Sequence, residues 1–250
     1  MKIRKFGVGG RMSECERRLS SCDLDFPRLI LLPIPTTRDK KYINGTSTLL
    51  SDIPRVSGEG ALVVGYNIPE ETVKELRARG CSVFDAALDE DFLLENARVT
   101  ARGAVASLMS SSELDVSDMS VAVIGLGRIG TALLNLLLFL GAAVTVYTKR
   151  ESVVKDLSSL EIDCRPIGRD SDLSEFDAVF NTAPESIIDN EKIAALPAKT
   201  RIIDLASGNI FEPSERLTKL SSIPDKMYPV SAGKLYAEAI IRAVKGGALH

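Results

Sequence analysis

The sequence predicts an α/β protein: a doubly wound parallel sheet joined to a smaller, shortened N-terminal α/β domain. Three observations carry that expectation. Short apolar runs rich in β-branched residues alternate with helical segments along most of the 250 residues, the pattern of parallel strands joined by helices. One such run, residues 121–124 (VAVI), passes directly into Gly125-Leu126-Gly127-Arg128-Ile129-Gly130 and an apolar segment closed by Gly141. A second strand-like run follows at 143–148. Strand, glycine turn, helix, strand is the context that gives a GxGxxG meaning, and it predicts a Rossmann-type domain.

Residues 1–22 are ambiguous: Gly7, Gly9 and Gly10 mark a turn, and Ser13 with Glu16 three residues later reads as a capped start for a helix over 13–19. Residues 28–34 (RLILLPI) form a strand stopped by Pro33 and Pro35, with a polar loop behind it through Pro54. Strands are predicted at 61–66 and 82–86, with a helix at 69–79 between Pro69 and Gly80. Helices over 89–96 and 99–111 lead into the glycine-turn strand, the second as a linker with small residues suited to close packing. Beyond 148 the pattern gives a helix at 151–160, an edge strand at 162–167 with Pro166, a strand at 178–180, a helix at 190–196 and a strand at 201–205. A helix at 213–220, an extended piece at 227–229 and a final helix at 231–244 complete the chain. The expected domains are residues 1–98 on the substrate side, 99–229 for the dinucleotide, and a C-terminal helix, 230–250, packing back on the first domain.

The glycines divide the work of the turn. Gly125 permits the turn off the strand, Gly127 lets backbone approach a pyrophosphate, and Gly130 lets the helix pack on the strand. The first-turn N–H groups, around Arg128 and Ile129, and the positive end of the helix dipole then face the phosphates. The alternative is a glycine-rich turn with no ligand. In a parallel α/β sheet the ligand lies outside the carboxyl ends of the strands, which here carry the glycine turn, Thr148-Lys149-Arg150, Asn181-Thr182 and Ala206-Ser207-Gly208. An NAD site places Asp or Glu about 20 residues beyond the glycines to bind the ribose 2′-hydroxyl. Thr148, Lys149 and Arg150 instead offer a hydroxyl and two cations, which suit a 2′-phosphate, so NADP is expected over NAD. A solvated basic strand end is the alternative. The helix after the turn, with Leu133, Leu134, Leu136, Leu137, Leu138, Phe139 and Leu140, is apolar all round and is expected to be covered on more than one side, by the linker helix or a partner subunit.

Composition narrows the class. Lys and Arg number 31 against 34 Asp and Glu, a balance without the basic footprint of a nucleic-acid binder. The longest apolar run, 132–144, is too short to span a bilayer and the basic N-terminus lacks a signal-peptide core, so no membrane role and a cytoplasmic location are expected. Cys15, Cys22, Cys81 and Cys164 are scattered without a CxxC and read as reduced thiols rather than metal ligands. The single histidine is the last residue, His250, which argues against the histidine base of hydroxy-acid dehydrogenases. Oxidation that creates an aromatic ring asks less of the protein: a hydride acceptor, orientation and a modest base.

Residues from about Glu95 onward carry a family pattern: Glu95-Asn96 with Thr100 and Gly103-Ala104, then VIGLGRIG, FNTAP, IIDLAS and IPDKMYPVSAGKLYAEAI; upstream, LLPIPTT adds to it. The chain resembles the A subunit of dipicolinate synthase from spore-forming bacteria, an NAD(P)-binding family related in architecture to D-2-hydroxyacid dehydrogenases. The resemblance implies NADP-dependent oxidation of a dihydrodipicolinate-type precursor to pyridine-2,6-dicarboxylate during sporulation, jointly with a flavoprotein-like B subunit, in a chain expected to be a homo-oligomer. It implies cofactor contacts at Asn181, Thr182 and Ala206, catalytic roles for Lys226, Ser207 and Thr100, and substrate contacts at Thr36, Thr37, Ser231 and Lys234. Lys226 has a bland alternative as a surface residue, and Ser231 as the N-cap of the last helix. The chain departs from the family where Asp225 replaces a glycine, where Asn209 and Ile210 follow Gly208 in place of a glycine pair, and between Arg18 and Arg28, where a strand and helix look missing. A shikimate-type dehydrogenase using a Lys–Asp pair, and a nucleotide-binding regulatory subunit without chemistry, are the competing expectations.

Overall fold

The computed structural model describes residues 1–168, 171–184, 190–206, 216–247 and 249, the side chains of residues 190 and 192 excepted. In chain order its elements begin with β1 (Lys2–Lys5), α1 (Gly10–Ser20), β2 (Arg28–Leu31), α2 (Ile53–Ser57), β3 (Leu62–Gly65), α3 (Glu70–Ala78), β4 (Ser82–Asp85) and α4 (Glu90–Ser111). There follow β5 (Ser120–Ile124), α5 (Arg128–Phe139), β6 (Ala143–Thr148), α6 (Glu151–Ser158), β7 (Asp163–Pro166) and β8 (Ala178–Asn181). The chain continues through α7 (Asn190–Ala195), β9 (Arg201–Asp204), β10 (Leu217–Lys219), α8 (Ile223–Met227) and α9 (Pro229–Lys245). They divide into two compact units, one of Met1–Asn96 with Pro224–His250 and one of Ala97–Ile223. The boundary thus falls inside α4, and residues 224–229 join the first unit rather than the dinucleotide domain.

The first unit holds a parallel sheet ordered β1-β2-β3-β4. Alternation along each strand splits the apolar side chains between two cores. Leu29, Leu31, Leu62, Val64 and Phe84 pack with Met12, Cys15 and Leu19 of α1 and with Tyr236, Ala237 and Ile240 of α9. Ile30, Leu32, Val63 and Val83 face the other way, toward Ile53 of α2 and Leu76 of α3. α1 and α9 pack without room for larger residues: a Cβ at Gly233 would lie 2.5 Å from the Arg11 carbonyl oxygen, and one at Gly10 would lie 2.7 Å from Pro229 Cβ.

The second unit is built on a parallel sheet ordered β10-β9-β8-β5-β6-β7. Val121, Val123, Val144 and Val146 share one core with Leu133, Leu134 and Leu137 of α5 and with Ala104, Val105 and Leu108 of α4. Ala122, Ile124, Tyr147 and Val179 face a second core with Phe176 and Ile193. This is the expected α/β architecture of two parallel sheets with flanking helices.

Several local expectations are corrected. α1 starts at Gly10, with Gly9 at its N-cap at φ 112; Ser13 therefore sits inside the helix, where its Oγ accepts from Lys5 Nζ at 3.3 Å, and does not cap it. The two helices expected over 89–96 and 99–111 are one continuous α4, because nothing in Ala97-Arg98 breaks a helix. Residues 217–219 of the expected 213–220 helix form the edge strand β10, paired in parallel with β9; residues 213–215 lie outside the described residues. The expected extended piece at 227–229 is replaced by the end of α8 and the start of α9. α5 meets the expected linker helix as well as its sheet, Leu133, Leu134 and Leu137 sharing a core with Ala104, Val105 and Leu108 of α4, while Phe139 is 85% exposed on the single chain.

Candidate dinucleotide site

The chain reverses direction across the second sheet between β5 and β8, and a ligand of an open parallel sheet binds at that reversal, beyond the carboxyl strand ends. The turn after β5 is tightly determined. The Gly125 N–H donates to Tyr147 O at 2.8 Å, and its φ of 88 lies in the region glycine adopts without strain. A Cβ at Gly130 would lie 2.1 Å from Gly125 O, so only glycine lets α5 start this close to the strand. Across the turn, Thr182 Oγ1 donates to the carbonyls of Ile124 and Gly125 at 3.0 and 3.1 Å. Gly127, the N-cap of α5, is exposed, and a Cβ there would meet nothing within 4 Å. The space above Gly127 and the backbone N–H groups in the first turn of α5, around Arg128 and Ile129, form a cradle that fits a pyrophosphate.

The end of β6 carries the predicted cations. Thr148 is buried and its Oγ1 accepts the Arg150 N–H at 3.2 Å. Lys149 and Arg150 are exposed, and Arg150 Nη2 donates to the Leu126 carbonyl inside the glycine turn. Arg150 therefore lies against the glycine turn.

On the far side of β5, the ends of β8, β9 and β10 are joined by a polar cluster. Asp204, 1% exposed, accepts from Asn181 Nδ2 at 2.9 Å, from the Ala206 N–H at 3.1 Å and from Lys219 Nζ. Lys219 Nζ also donates to the Ala206 carbonyl, and Asn181 Oδ1 accepts the Ala183 N–H at 3.3 Å. Asn181, Thr182 and Ala206 stand out in the sequence; Asp204 and Lys219 do not, although Asp204 lies inside IIDLAS. Ser207 and Gly208 lie outside the described residues.

Thr100 is buried within α4. Thr36 is fully buried and its Oγ1 accepts the Tyr66 N–H at 2.9 Å, fixing the loop after β2; Thr37 Oγ1 donates to Asp39 at 3.2 Å. Lys226 is exposed on α8. Ser231 stands exposed in the first turn of α9, whose N-cap is Tyr228, so the N-cap alternative for Ser231 is excluded. Lys234 lies 3.7 Å from Glu238, one turn on. Sequence reasoning also passes over Arg11. Its side chain is 2% exposed, donates to Asn96 Oδ1 at 3.0 Å, and places Nε 3.3 Å from Asp225 Oδ1 without a hydrogen bond. Burial pulls the guanidinium below its usual value, opposed by Asp225. Burial likewise pushes the Asp225 carboxyl up, opposed by Arg11. Asp225 thus faces the buried guanidinium of Arg11.

A glycine turn at the strand-order reversal, an open helix N-terminus and a polar rim on the flanking strands define a dinucleotide-binding α/β domain. The chain belongs to the D-isomer specific 2-hydroxyacid dehydrogenase family through its NAD binding domain, which matches residues 91–222; its cofactor is accordingly a nicotinamide dinucleotide. It is 25% identical over 161 residues to the A subunit of dipicolinate synthase from Bacillus subtilis (strain 168), covering 60% of this chain and 54% of the relative, so it spans about half the length of that protein. Among solved structures it resembles the A subunit of dipicolinate synthase from Bacillus halodurans, with a TM-score of 0.78, 19% identity and 97% of each chain covered. It also resembles a transhydrogenase from Sinorhizobium meliloti, with a TM-score of 0.65, 16% identity, and 96% and 90% of the two chains covered. Among the described residues no helix is long and apolar enough to cross a membrane.

Proposed function

We propose that this protein is an NADP-dependent oxidoreductase of the kind formed by the dipicolinate synthase A subunits, converting a dihydrodipicolinate-type precursor to pyridine-2,6-dicarboxylate together with a B subunit. The observation that carries the cofactor preference is the end of β6, where Thr148, Lys149 and Arg150 stand in place of the carboxylate that would repel a 2′-phosphate. The substrate reading rests on the FNTAP, IIDLAS and PVSAGK elements and on the similarity to the Bacillus proteins.

The cofactor supplies a hydride acceptor: one hydride leaves a ring carbon, one proton leaves the ring, and the product gains aromaticity. The chain's own residues bind and orient. Gly127 and the start of α5 receive the pyrophosphate, Arg150 and Lys149 the 2′-phosphate, and Asn181 and Thr182 line the half of the site beyond β5. A dianionic substrate calls for cations and hydroxyls, which Lys226, Lys234, Ser231 and Thr37 offer.

The test has two parts. NADPH should bind the purified protein more tightly than NADH, and Arg150→Ser should weaken NADPH roughly 10- to 100-fold, the loss expected for a charge-assisted hydrogen bond, while leaving NADH nearly unchanged. Tighter NADH binding overturns the NADP preference. With NADP, precursor and B subunit, absorbance in the pyridine dicarboxylate band should grow; its absence, with cofactor binding intact, overturns the substrate.

A further inference from the structure

We propose that Asp204 and Lys219 are positioning residues that fix the side-chain amide of Asn181 at the nicotinamide half of the site. The proposal rests on the dinucleotide reading above. In a doubly wound sheet the adenosine ribose sits at the end of the strand that follows the glycine-turn helix, and the second mononucleotide lies across the reversal point. Here the adenosine side is β6, which leaves β8 and β9, and so Asn181 and Asp204, for the nicotinamide side.

An asparagine amide offers two nearly isosteric orientations, and its neighbours decide between them. Asp204 Oδ1 accepts from Nδ2, while the Ala183 N–H donates to Oδ1. A carboxylate cannot donate and an N–H cannot accept, so both contacts enforce one orientation. The second Nδ2 hydrogen and the remaining Oδ1 lone pair therefore point in fixed directions. Asp204 is 1% exposed, so its oxygens are met by protein groups rather than by water. Lys219, with a side chain 31% exposed, supplies the compensating charge and ties the pair to the Ala206 carbonyl. A carboxamide such as that of the nicotinamide needs one donor and one acceptor opposite it, which the orientated amide of Asn181 provides.

The experiment measures dissociation constants of two probes by fluorescence or calorimetry: NADPH, and adenosine 2′,5′-bisphosphate, which lacks the nicotinamide half. Asp204→Asn is isosteric but able to donate, so it removes one of the two constraints on the orientation and leaves only the longer Ala183 N–H contact; Lys219→Met removes the compensating charge. Both should weaken NADPH about tenfold, the size of one lost buried hydrogen bond, and leave the bisphosphate within about twofold. Lys219→Arg should restore wild-type NADPH binding. Asn181→Ala should weaken NADPH similarly, and adding Asp204→Asn to it should cost nothing further, the non-additivity expected of residues acting through one another. Equal weakening of both probes would assign the pair to general structure and overturn the proposal, as would full additivity or no effect at all. Should Lys219→Met fail to fold, the isosteric Asp204→Asn and the double variant still decide the matter. Failure of the wild type to bind either probe would instead count against the NADP preference, and NADH with ADP would then replace the two probes.

Discussion

At the scale of single residues, the glycine turn separates two roles that the motif merges. Gly130 is steric: its Cβ would lie 2.1 Å from Gly125 O and 3.2 Å from Thr182 Oγ1. Gly127 is open, with φ at −86, which any residue adopts, and nothing within 4 Å of a built Cβ. Gly130→Ala should therefore push α5 off the strand, costing about 1–3 kcal/mol of stability as overpacking does, and weaken the cofactor as well. Gly127→Ala should keep the wild-type melting temperature and lose cofactor affinity, because the methyl occupies only the space kept for the ligand. Thermal melts and dinucleotide titrations on both variants check this; a destabilised Gly127→Ala would show that the turn, and not its ligand, needs that glycine. These glycines are legible in the sequence because their spacing is local and their strand and helix adjoin them. The Asp204–Lys219 pair is not, because it joins the ends of two strands through a three-dimensional register. Arg11 escapes notice for the same reason, since its partners Asn96 and Asp225 come from distant stretches of chain.

At the scale of elements, strongly apolar segments are placed by the sequence within a residue or two, among them β5, β6, β8 and β9. The misplaced elements are those with weak local signals. β10 is three residues long with two of them exposed, so no hydrophobic run marks it, and pairing with β9 alone makes it a strand. Leu133, Leu134 and Leu137 of α5 signal burial correctly, since the sheet and α4 cover them, while Phe139 is 85% exposed on the single chain. α1 carries a pH-dependent element of its own. Arg17 and Arg18 donate to the Glu14 carboxylate at 2.6 to 2.7 Å, and those bonds, Arg17 first, lower it from 4.5 to about 2. A carboxylate depressed in the folded state contributes stability that is present above its unfolded value and is lost as pH falls. The contribution should thus be complete above about pH 4.5 and disappear toward pH 2. Comparing melting temperatures of wild type and Glu14→Gln, the gap should be widest near neutrality, shrink below pH 4.5 and narrow in high salt. A gap constant from pH 7 to pH 2 would mean that the residue acts through packing against Gly233 rather than through its charge.

At the scale of the molecule, the first sheet has an irregularity with a physical reading. Its strands advance in one direction, β1-β2-β3-β4, yet α1 packs on one face while α2 and α3 pack on the other. The connection through α1 and the connections through α2 and α3 therefore have opposite hands, against the strong right-handed rule. A strand placed on the outer side of β1 and reached through α1, followed by a helix returning to β2, would make every connection right-handed. The stretch between Arg18 and Arg28, where the family resemblance implies a missing strand and helix, is where that unit would stand; there the structure has only an irregular link after α1. The two units also keep separate hydrophobic cores, and every residue proposed to touch the dinucleotide, from Gly125 to Ala206, belongs to the second. A ligand that binds only the native form of one unit stabilises that unit, by about 2.7 kcal/mol at 100 times the dissociation constant. Saturating NADPH should therefore slow amide exchange up to about 100-fold in β5, α5, β6 and β8, and leave β2, β3 and α3 unchanged. Mass-resolved exchange with and without NADPH reads both sets in one experiment. Equal protection of β3 and β5 would mean that cofactor binding is energetically linked to the first unit, and that the two cores do not open independently.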